Sequence, residues 1–410
     1  MVFALLLALG LAAPLQAQAQ PATAPPLPLA QAVAKARTDS PLRRAPADIA
    51  AGATEAARLA GRRPNPIVEL RGENWSTSDV ELPLDVFATV SQPIELGPKR
   101  RSRLGLAEAD RDIAGASLGS VDRQVVLRTA QLYVQALKAK GLFDTLTANR
   151  EGLTTLTDTM RRRVAEGLSA ESDLLKFETE GARVDIEVAR ARLDLDRSLT
   201  ALTFVIGATT AVTAAQLVEP RALPAPALED ATITAAMQRH PDVQVAAARV
   251  TRAQQALTLE RARRLPEPIV TAGYKRTAGI NTALAAVTFA VPVFDQNASA
   301  AARAMGEERA AAADRDALVL RLTSEAVSLA RTAQTLATRA TRADQDLLAP
   351  AEAVRNSARA AFREGAADVL KLIDAERVYA DVRRTALELR LEALIATVEA
   401  RFAIGEETLP

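Results

Sequence analysis

Cysteine is absent from this 410-residue chain, histidine occurs once, and aromatic residues make up 3 %. Without cysteine there are no disulfides, thiolate metal sites, cysteine nucleophiles or lipid-anchored N-terminal cysteine. The single histidine, His240, cannot build a ligand set that selects a transition metal. Its place before Pro241, near a helix start, gives it a structural role. No glycine-rich phosphate loop, serine triad or metal-ligand cluster is present, so no catalytic residue, cofactor site or metal site is assigned, and an enzyme is not expected. An excess of one charge is missing too: 51 Lys and Arg stand against 50 Asp and Glu, which gives no electrostatic pointer to nucleic acid. After the first residues no stretch of 18 apolar residues occurs, so no transmembrane helix is expected.

What the chain does contain is alanine, leucine, arginine and glutamate, with 49 % apolar residues overall. That composition suits long packed helices rather than a bulky core. The opening "MVFALLLALGLAAPLQAQAQPA" has an apolar run from Val2 to Ala13, too short to span a bilayer but right for a signal-peptide core. Ala17-Gln18-Ala19 supplies a small-x-small cleavage site, so residues 1–19 are expected to be removed.

The remainder is written twice. "DSPLRRA" (39–45) parallels "RHPDVQV" (239–245), and "RPNPIV" (63–68) parallels "LPEPIV" (265–270). The third pair sets Pro93 against Pro292. The fourth, "VAEGLSAESDLLKFE" (164–178) and "FREGAADVLKLIDAE" (362–376), sets Gly167 against Gly365 and Glu178 against Glu376. The offsets are 200, 202, 199 and 198 residues in unchanged order, the mark of an internal duplication. Residues 20–207 form the first copy and 230–405 the second. The Thr/Ala/Pro-rich segment 208–229 links them, and the two copies together make one domain.

Each copy carries the same order of elements. A helix (28–60; 229–264) is followed by a Pro-x-Pro break and a strand (67–75; 269–276). A polar loop leads to a second strand (84–92; 284–292) that ends at a proline. A very long helix (99–165; 298–363), a glycine turn and a further helix (171–205; 368–403) complete it. Pro64, Pro66, Pro93, Pro266, Pro268 and Pro292 stand at the helix–strand junctions. Proline removes an amide donor and pushes the preceding residue to extended geometry. In the strands, Val68 and Leu70 alternate with Glu69, Arg71 and Glu73. Val270, Ala272 and Tyr274 alternate with Thr271, Gly273 and Lys275, and Val287, Phe289 and Val291 with Ala286, Thr288 and Ala290. Such alternation fits tilted membrane strands and small surface hairpins equally well. Four strands cannot close a barrel, so membrane strands would require several chains to share one.

The long helices decide between these readings. Leu118, Val125, Leu132, Ala139, Leu146, Leu153 and Met160 recur every seven residues. So do Val319, Ala326, Ala333, Ala340, Leu347, Val354 and Ala361, with Leu322, Leu329, Leu336 and Ala343 as a companion row. Sustained heptads make a left-handed coiled coil. A helix of about 66 residues spans roughly 100 Å, which suits the wall of a tube crossing a compartment.

On these features the chain resembles the TolC-type outer membrane factors, and "SQPIELGPKRRSR" (91–103) and "VPVFDQN" (291–297) resemble the strand-to-helix signature of their cobalt–zinc–cadmium branch. The resemblance covers nearly the whole mature chain. It implies a mainly α fold of long coiled-coil hairpins with four transmembrane strands per chain. Three chains would close one twelve-stranded barrel in the outer membrane above a periplasmic helical tunnel. The protein would be the exit duct of a tripartite efflux system for divalent heavy-metal cations, completed by a periplasmic adaptor and an inner-membrane pump of the resistance-nodulation-division class. Export of organic compounds or of a protein by the same fold, or a soluble periplasmic coiled-coil scaffold, are the alternatives. In the family the glycine turns form the tip that meets the adaptor: here Gly167, Leu168 and Ser169, with Gly365 and Ala366. Acidic residues often ring the periplasmic constriction, and Asp173 and Asp374 occupy matching positions, with Lys371 where a second aspartate is expected. Ser169, Ser172 and Asp173 are candidate caps of the following helix. Lys99, Arg100, Arg101 and Arg103 sit at a helix N-terminus, either against phospholipid headgroups or as a solvated cluster. Trp75 is a candidate interfacial anchor.

Overall fold

The computed structural model describes residues 25–74, 84–220, 224–226 and 230–406. The leader at 1–19 and Trp75 lie outside them, as does part of the linker.

The helices expected over 28–60 and 229–264 are each two. Helix α1 (Leu29–Asp39) and α2 (Arg44–Ala60) are separated at Ser40-Pro41, and α5 (Asp230–Arg239) and α6 (Pro241–Ala262) at His240-Pro241. Ser40 has ψ 127° and His240 ψ 126°. A residue before proline is driven to extended backbone, so each proline closes one helix and opens the next. His240 also acts as the N-cap of α6: its Nδ1 accepts a bond from the Asp242 amide at 3.2 Å. Burial lowers its pKa first, and the Arg123 charge adds to this, so the ring stays a neutral acceptor.

Two strands follow α2, β1 (Ile67–Glu73) and β2 (Asp85–Pro93). Then come α3 (Lys99–Ala165) and α4 (Glu171–Val205), antiparallel across the turn at Gly167. The second copy supplies β3 (Ile269–Thr277), β4 (Ile280–Thr288), α7 (Ala298–Ala343), α8 (Ala349–Arg363) and α9 (Val369–Ala403). The four strands form one antiparallel sheet in the order β1-β2-β3-β4, the two copies meeting where β2 pairs with β3.

Two expectations for the second copy need correction. The strand expected over 284–292 runs over 280–288. Ala278 (φ 49°) and Gly279 (φ 82°) make a two-residue turn that starts β4 at once, and Pro292 lies beyond the strand's end. The helix expected over 298–363 is interrupted by a π-helical turn, Asp344–Leu348. Pro350 has no amide to give the Asp346 carbonyl, and the wider turn takes up the mismatch. The turn inserts one residue, so the buried position after Ala343 is Ala351 rather than the heptad-spaced Pro350. Leu347 and Val354, expected in the seam, are therefore exposed.

Helix α3 is the spine and packs against α1, α2, α4, α6 and α9, whereas α7 packs on α5, α6 and α9. Its row Val125, Leu132, Leu153 and Met160 is buried. The main core gathers around Tyr133, whose hydroxyl lies 2.8 Å from both the Leu27 and Val218 carbonyls, with one proton shared between them, and accepts from the Val218 amide at 2.9 Å. The linker is thereby strapped down. The Leu27 amide donates to the Gln216 carbonyl at 2.8 Å, and Thr213 and Gln216 form a reciprocal capping box.

Candidate functional site

The sheet is inside-out for a protein in water. Its register aligns Val68 with Val90, Ala272 and Ala285, and Leu70 with Ala88, Tyr274 and Ala283. One face is thus a continuous apolar band, and it is the exposed one: Leu70 is 78 % and Val68 66 % accessible. The other face carries Glu69, Arg71, Thr89, Ser91, Thr271 and Lys275, and is the more sheltered face of β3. There the Ser91 and Thr271 hydroxyls bond at 2.8 Å, and Arg71 lies 4.6 Å from the centre of the Phe87 ring. The apolar band stops near the turn, where Tyr274 donates to Asn281 at 2.6 Å and Arg276 shares the face. Strands β1 and β4 are the two edges, and none of the seven residues of β1 is buried.

The junction prolines lie between helix and sheet. Pro64 and Pro66 precede β1, Pro266 and Pro268 precede β3, and Pro93 ends β2. Their carbonyls remain usable: Gln92 Nε2 donates to the Pro64 carbonyl at 3.0 Å, and the Ile94 amide to that of Pro268 at 2.8 Å. The basic cluster belongs to this collar. Arg100 donates to the Gly61 carbonyl, and Arg103 to those of Ala60 and Arg62 and to Glu95, so both cap the C-terminus of α2. Lys99 is buried beside Glu267 at 3.8 Å. Of the four, Arg100, Arg103 and Lys99 have these partners within the chain.

At the opposite end are the two glycine turns. Gly167 has φ +73° and Gly365 φ +76°, and a Cβ at either would meet nothing within 4 Å. Backbone handedness, not space, calls for glycine here. Both turns close with the same two bonds, Gly167 N to Val164 O with Leu168 N to Arg163 O, and Gly365 N to Phe362 O with Ala366 N to Ala361 O, at 2.8–3.2 Å. Leu168 and Ala366 are exposed and Ser169 half-buried. The expected side-chain caps do not form. Ala170 is the N-cap of α4 and makes no side-chain bond, because the chain enters α4 one residue after Ser169. Glu171 and Asp173 instead place their charges in the first turn, where the helix dipole favours them.

Beneath the tip, Phe177 and Phe362 pack edge-to-face with centroids 6.3 Å apart, in a core that joins α3, α4, α8 and α9. Asp374 on α9 lines a shallow groove with Lys176 of α4, whereas Asp173 lies outside that lining and is paired with Lys176 at 2.8 Å. That carboxylate raises the Lys176 pKa through its hydrogen bond. Lys371 is exposed. The same groove contains a carboxylate that sequence reading missed, Glu180. Its side chain is 4 % accessible and accepts from Arg377 Nε at 2.9 Å and Arg183 at 2.7 Å. These guanidiniums, Arg377 first, hold its pKa down to about 2. Glu180 has Val378 at the repeat-related position, so the duplication carried no signal for it. Another link was visible in the repeat. Arg161 with Glu178 and Arg359 with Glu376 are both Arg–Glu pairs displaced by the same 198 residues.

Comparison with known proteins agrees with this geometry. The outer membrane efflux protein family matches residues 16–208 and 232–406. The cobalt-zinc-cadmium resistance protein CzcC of Cupriavidus metallidurans is 30 % identical over 306 residues, 72 % of this chain and 71 % of that protein. Among solved structures, the Campylobacter jejuni CmeC outer membrane channel superimposes with a TM-score of 0.79 at 13 % identity, over 93 % of this chain and 86 % of that one. CusC, described in terms of transmembrane channel formation, gives 0.75 at 16 % identity over 92 % of both chains. At such identities the structural likeness establishes the fold, long helical hairpins joined to a strand sheet.

Proposed function

This chain belongs to the outer membrane efflux protein family, and on that premise we propose that it is the outer-membrane exit duct of a tripartite efflux system carrying divalent heavy-metal cations. The observation that carries the reading is the sheet, apolar outside, polar inside and open at both edges. In lipid every unpaired backbone group of those edges costs several kcal/mol, which only closure removes. Three chains closing one barrel satisfy them, with the helical hairpins hanging below as a periplasmic tunnel. The duct is passive and carries out no catalysis. An inner-membrane pump of the resistance-nodulation-division class drives transport, and a periplasmic adaptor meets the turns at Gly167 and Gly365. The cargo assignment rests on CzcC, whose name states cobalt, zinc and cadmium resistance. Asp173 and Asp374 are proposed to line the constriction near the tip.

Two measurements test this reading. A duct is extracted only by detergent and sediments as a trimer, whereas a periplasmic scaffold leaves with osmotic shock. Deleting the gene should lower tolerance to cobalt, zinc or cadmium and leave tolerance to organic toxicants unchanged; the reverse pattern would replace the cargo. For the tip, Gly167→Trp or Gly365→Trp should abolish metal tolerance while the trimer persists. A Cβ at either position meets nothing within 4 Å, so intact tolerance would remove the docking assignment.

A further inference from the structure

The duplication contains a template for how one chain meets the next. Inside the chain, the end of the first copy pairs with the start of the second. Pro93 lies opposite Ile269, and just past it the Ile94 amide donates to the Pro268 carbonyl at 2.8 Å. At the end of the second copy that arrangement is missing. The residues matching Val90–Pro93 are Phe289–Pro292, and they are not strand but follow β4 without a ladder. Phe289 is 53 %, Val291 67 % and Val293 65 % accessible. The Val293 amide, which matches that of Ile94, turns back onto the Val291 carbonyl at 2.8 Å. Yet Val287, Phe289 and Val291 continue an alternation that would carry the apolar band of the sheet further, and β1 stands at the other edge with no residue buried.

We infer that residues 289–292 become strand by pairing with β1 of a second copy of this chain, in the register that sets Pro292 opposite Ile67. This rests on the barrel reading above and specifies its seam. The register follows from superposing β2 on β4 through Pro93 and Pro292, and β3 on β1 through the prolines Pro268 and Pro66. It places Val291 against Val68 of the neighbour and Phe289 against its Leu70. All four side chains then lie on the apolar face, since Val287 already shares that face through Val270. The Val293 amide is released from its own carbonyl to donate to Pro66 of the neighbour, as Ile94 does to Pro268. A shift by one residue would turn Phe289 and Val291 toward the polar interior.

The chain has no cysteine, so introduced pairs report without background. Opposed residues in an antiparallel ladder have Cα atoms about 4.5–5.5 Å apart, within disulfide reach, whereas diagonal neighbours stand about 7–8 Å apart and fall outside it. The experiment oxidises the full chain in outer membranes with copper–phenanthroline and reads its mass on non-reducing gels. Leu70→Cys with Phe289→Cys, and independently Val68→Cys with Val291→Cys, should convert most chains to a covalent trimer. Leu70→Cys with Val287→Cys or with Val291→Cys should leave monomer. Trimer from either of the latter, in place of the first two, overturns the register and leaves the barrel standing. Failure of all four pairs in a protein that still sediments as a trimer overturns the β4–β1 seam. A monomer in sedimentation as well as on the gel removes the barrel reading itself.

Discussion

The two helical hairpins descend from one repeated pattern, yet they are built differently. In the first, α3 runs 67 residues without interruption and buries Leu, Val, Tyr and Met along its length. In the second, the corresponding wall is α7, a π-helical turn and α8, and α7 buries alanine alone. Large side chains hold α3 at the centre of five neighbouring helices. Alanines let α7 lie close against α6 and α9 with little interdigitation. The first copy is thus the scaffold, and the second is laid onto it. The difference shows that a duplicated heptad pattern fixes the length and direction of a helix, while the size of its seam residues fixes how firmly it is held.

The largest test of this comparison exchanges seam residues. Leu132 in the first seam and Ala333 in the second are both buried. Leu132→Ala should cost about 3 kcal/mol, as other buried leucine truncations do. Ala333→Leu should cost about 2 kcal/mol, because the closely approached helices must separate. Thermal unfolding of the detergent-solubilised protein measures both. If Ala333→Leu proved stabilising, the second seam would be loose rather than close-packed.

Next in size are the ion pairs that fasten the second copy. Arg359→Ala leaves Glu376, 6 % accessible, without the guanidinium that bonds it at 2.9 Å, and should cost about 2 kcal/mol. Arg377→Ala should cost less, since Arg183 still reaches Glu180 at 2.7 Å. Glu180 joins α4 of one copy to α9 of the other, and its lowered pKa gives the link a pH dependence. A carboxylate whose folded pKa is depressed stabilises the fold above its ordinary range and loses that contribution as pH falls. With a folded pKa of about 2 against an ordinary 4.5, the contribution is complete at neutral pH and fades from about pH 5 downward. The melting temperature of the unsubstituted protein should therefore fall more between pH 6 and pH 3 than that of Glu180→Gln. Parallel profiles would show that Glu180 does not fasten the copies.

Much of this was legible in the sequence. Proline and glycine punctuation located both ends of α3 and α4, because each marks a backbone state few other residues adopt. The apolar rows identified Val125, Leu132, Leu153 and Met160 as seam. The π-helical turn was not legible, since Leu347 and Val354 continue the heptad on paper and only one added residue rotates them out. The start of β4 was hidden for a related reason: Asn281 and Thr282 read as loop until the turn at Ala278-Gly279 draws them into the ladder. Glu180 and Arg377 lie 197 residues apart, and no local pattern joins an acid on one helix to a base on another. The tip was thus half visible, its glycine turns readable and the ionic link beneath them not.

The smallest effect expected is at Arg161, and it is the most informative per kcal/mol. Arg161 and Arg359 are repeat-related and face the repeat-related Glu178 and Glu376. The sequence pairing is the same, but Arg359 grips both oxygens of Glu376, whereas Arg161 makes one bond to Glu178 at 3.2 Å and also pairs with Asp158, and burial separates them further. Glu376 is 6 % accessible and Glu178 42 %. An exposed pair is screened by water and must hold two long side chains still, so Arg161→Ala should cost no more than about 0.5 kcal/mol. A melting temperature close to that of the unsubstituted protein, beside a clear drop for Arg359→Ala, would show that burial and two-point bonding, rather than the inherited pairing, set the strength. A loss at Arg161 equal to that at Arg359 would mean that Glu178 is covered in the assembled protein. The face of α4 that bears it would then be a contact between chains, and the asymmetry between the copies would belong to the single chain alone.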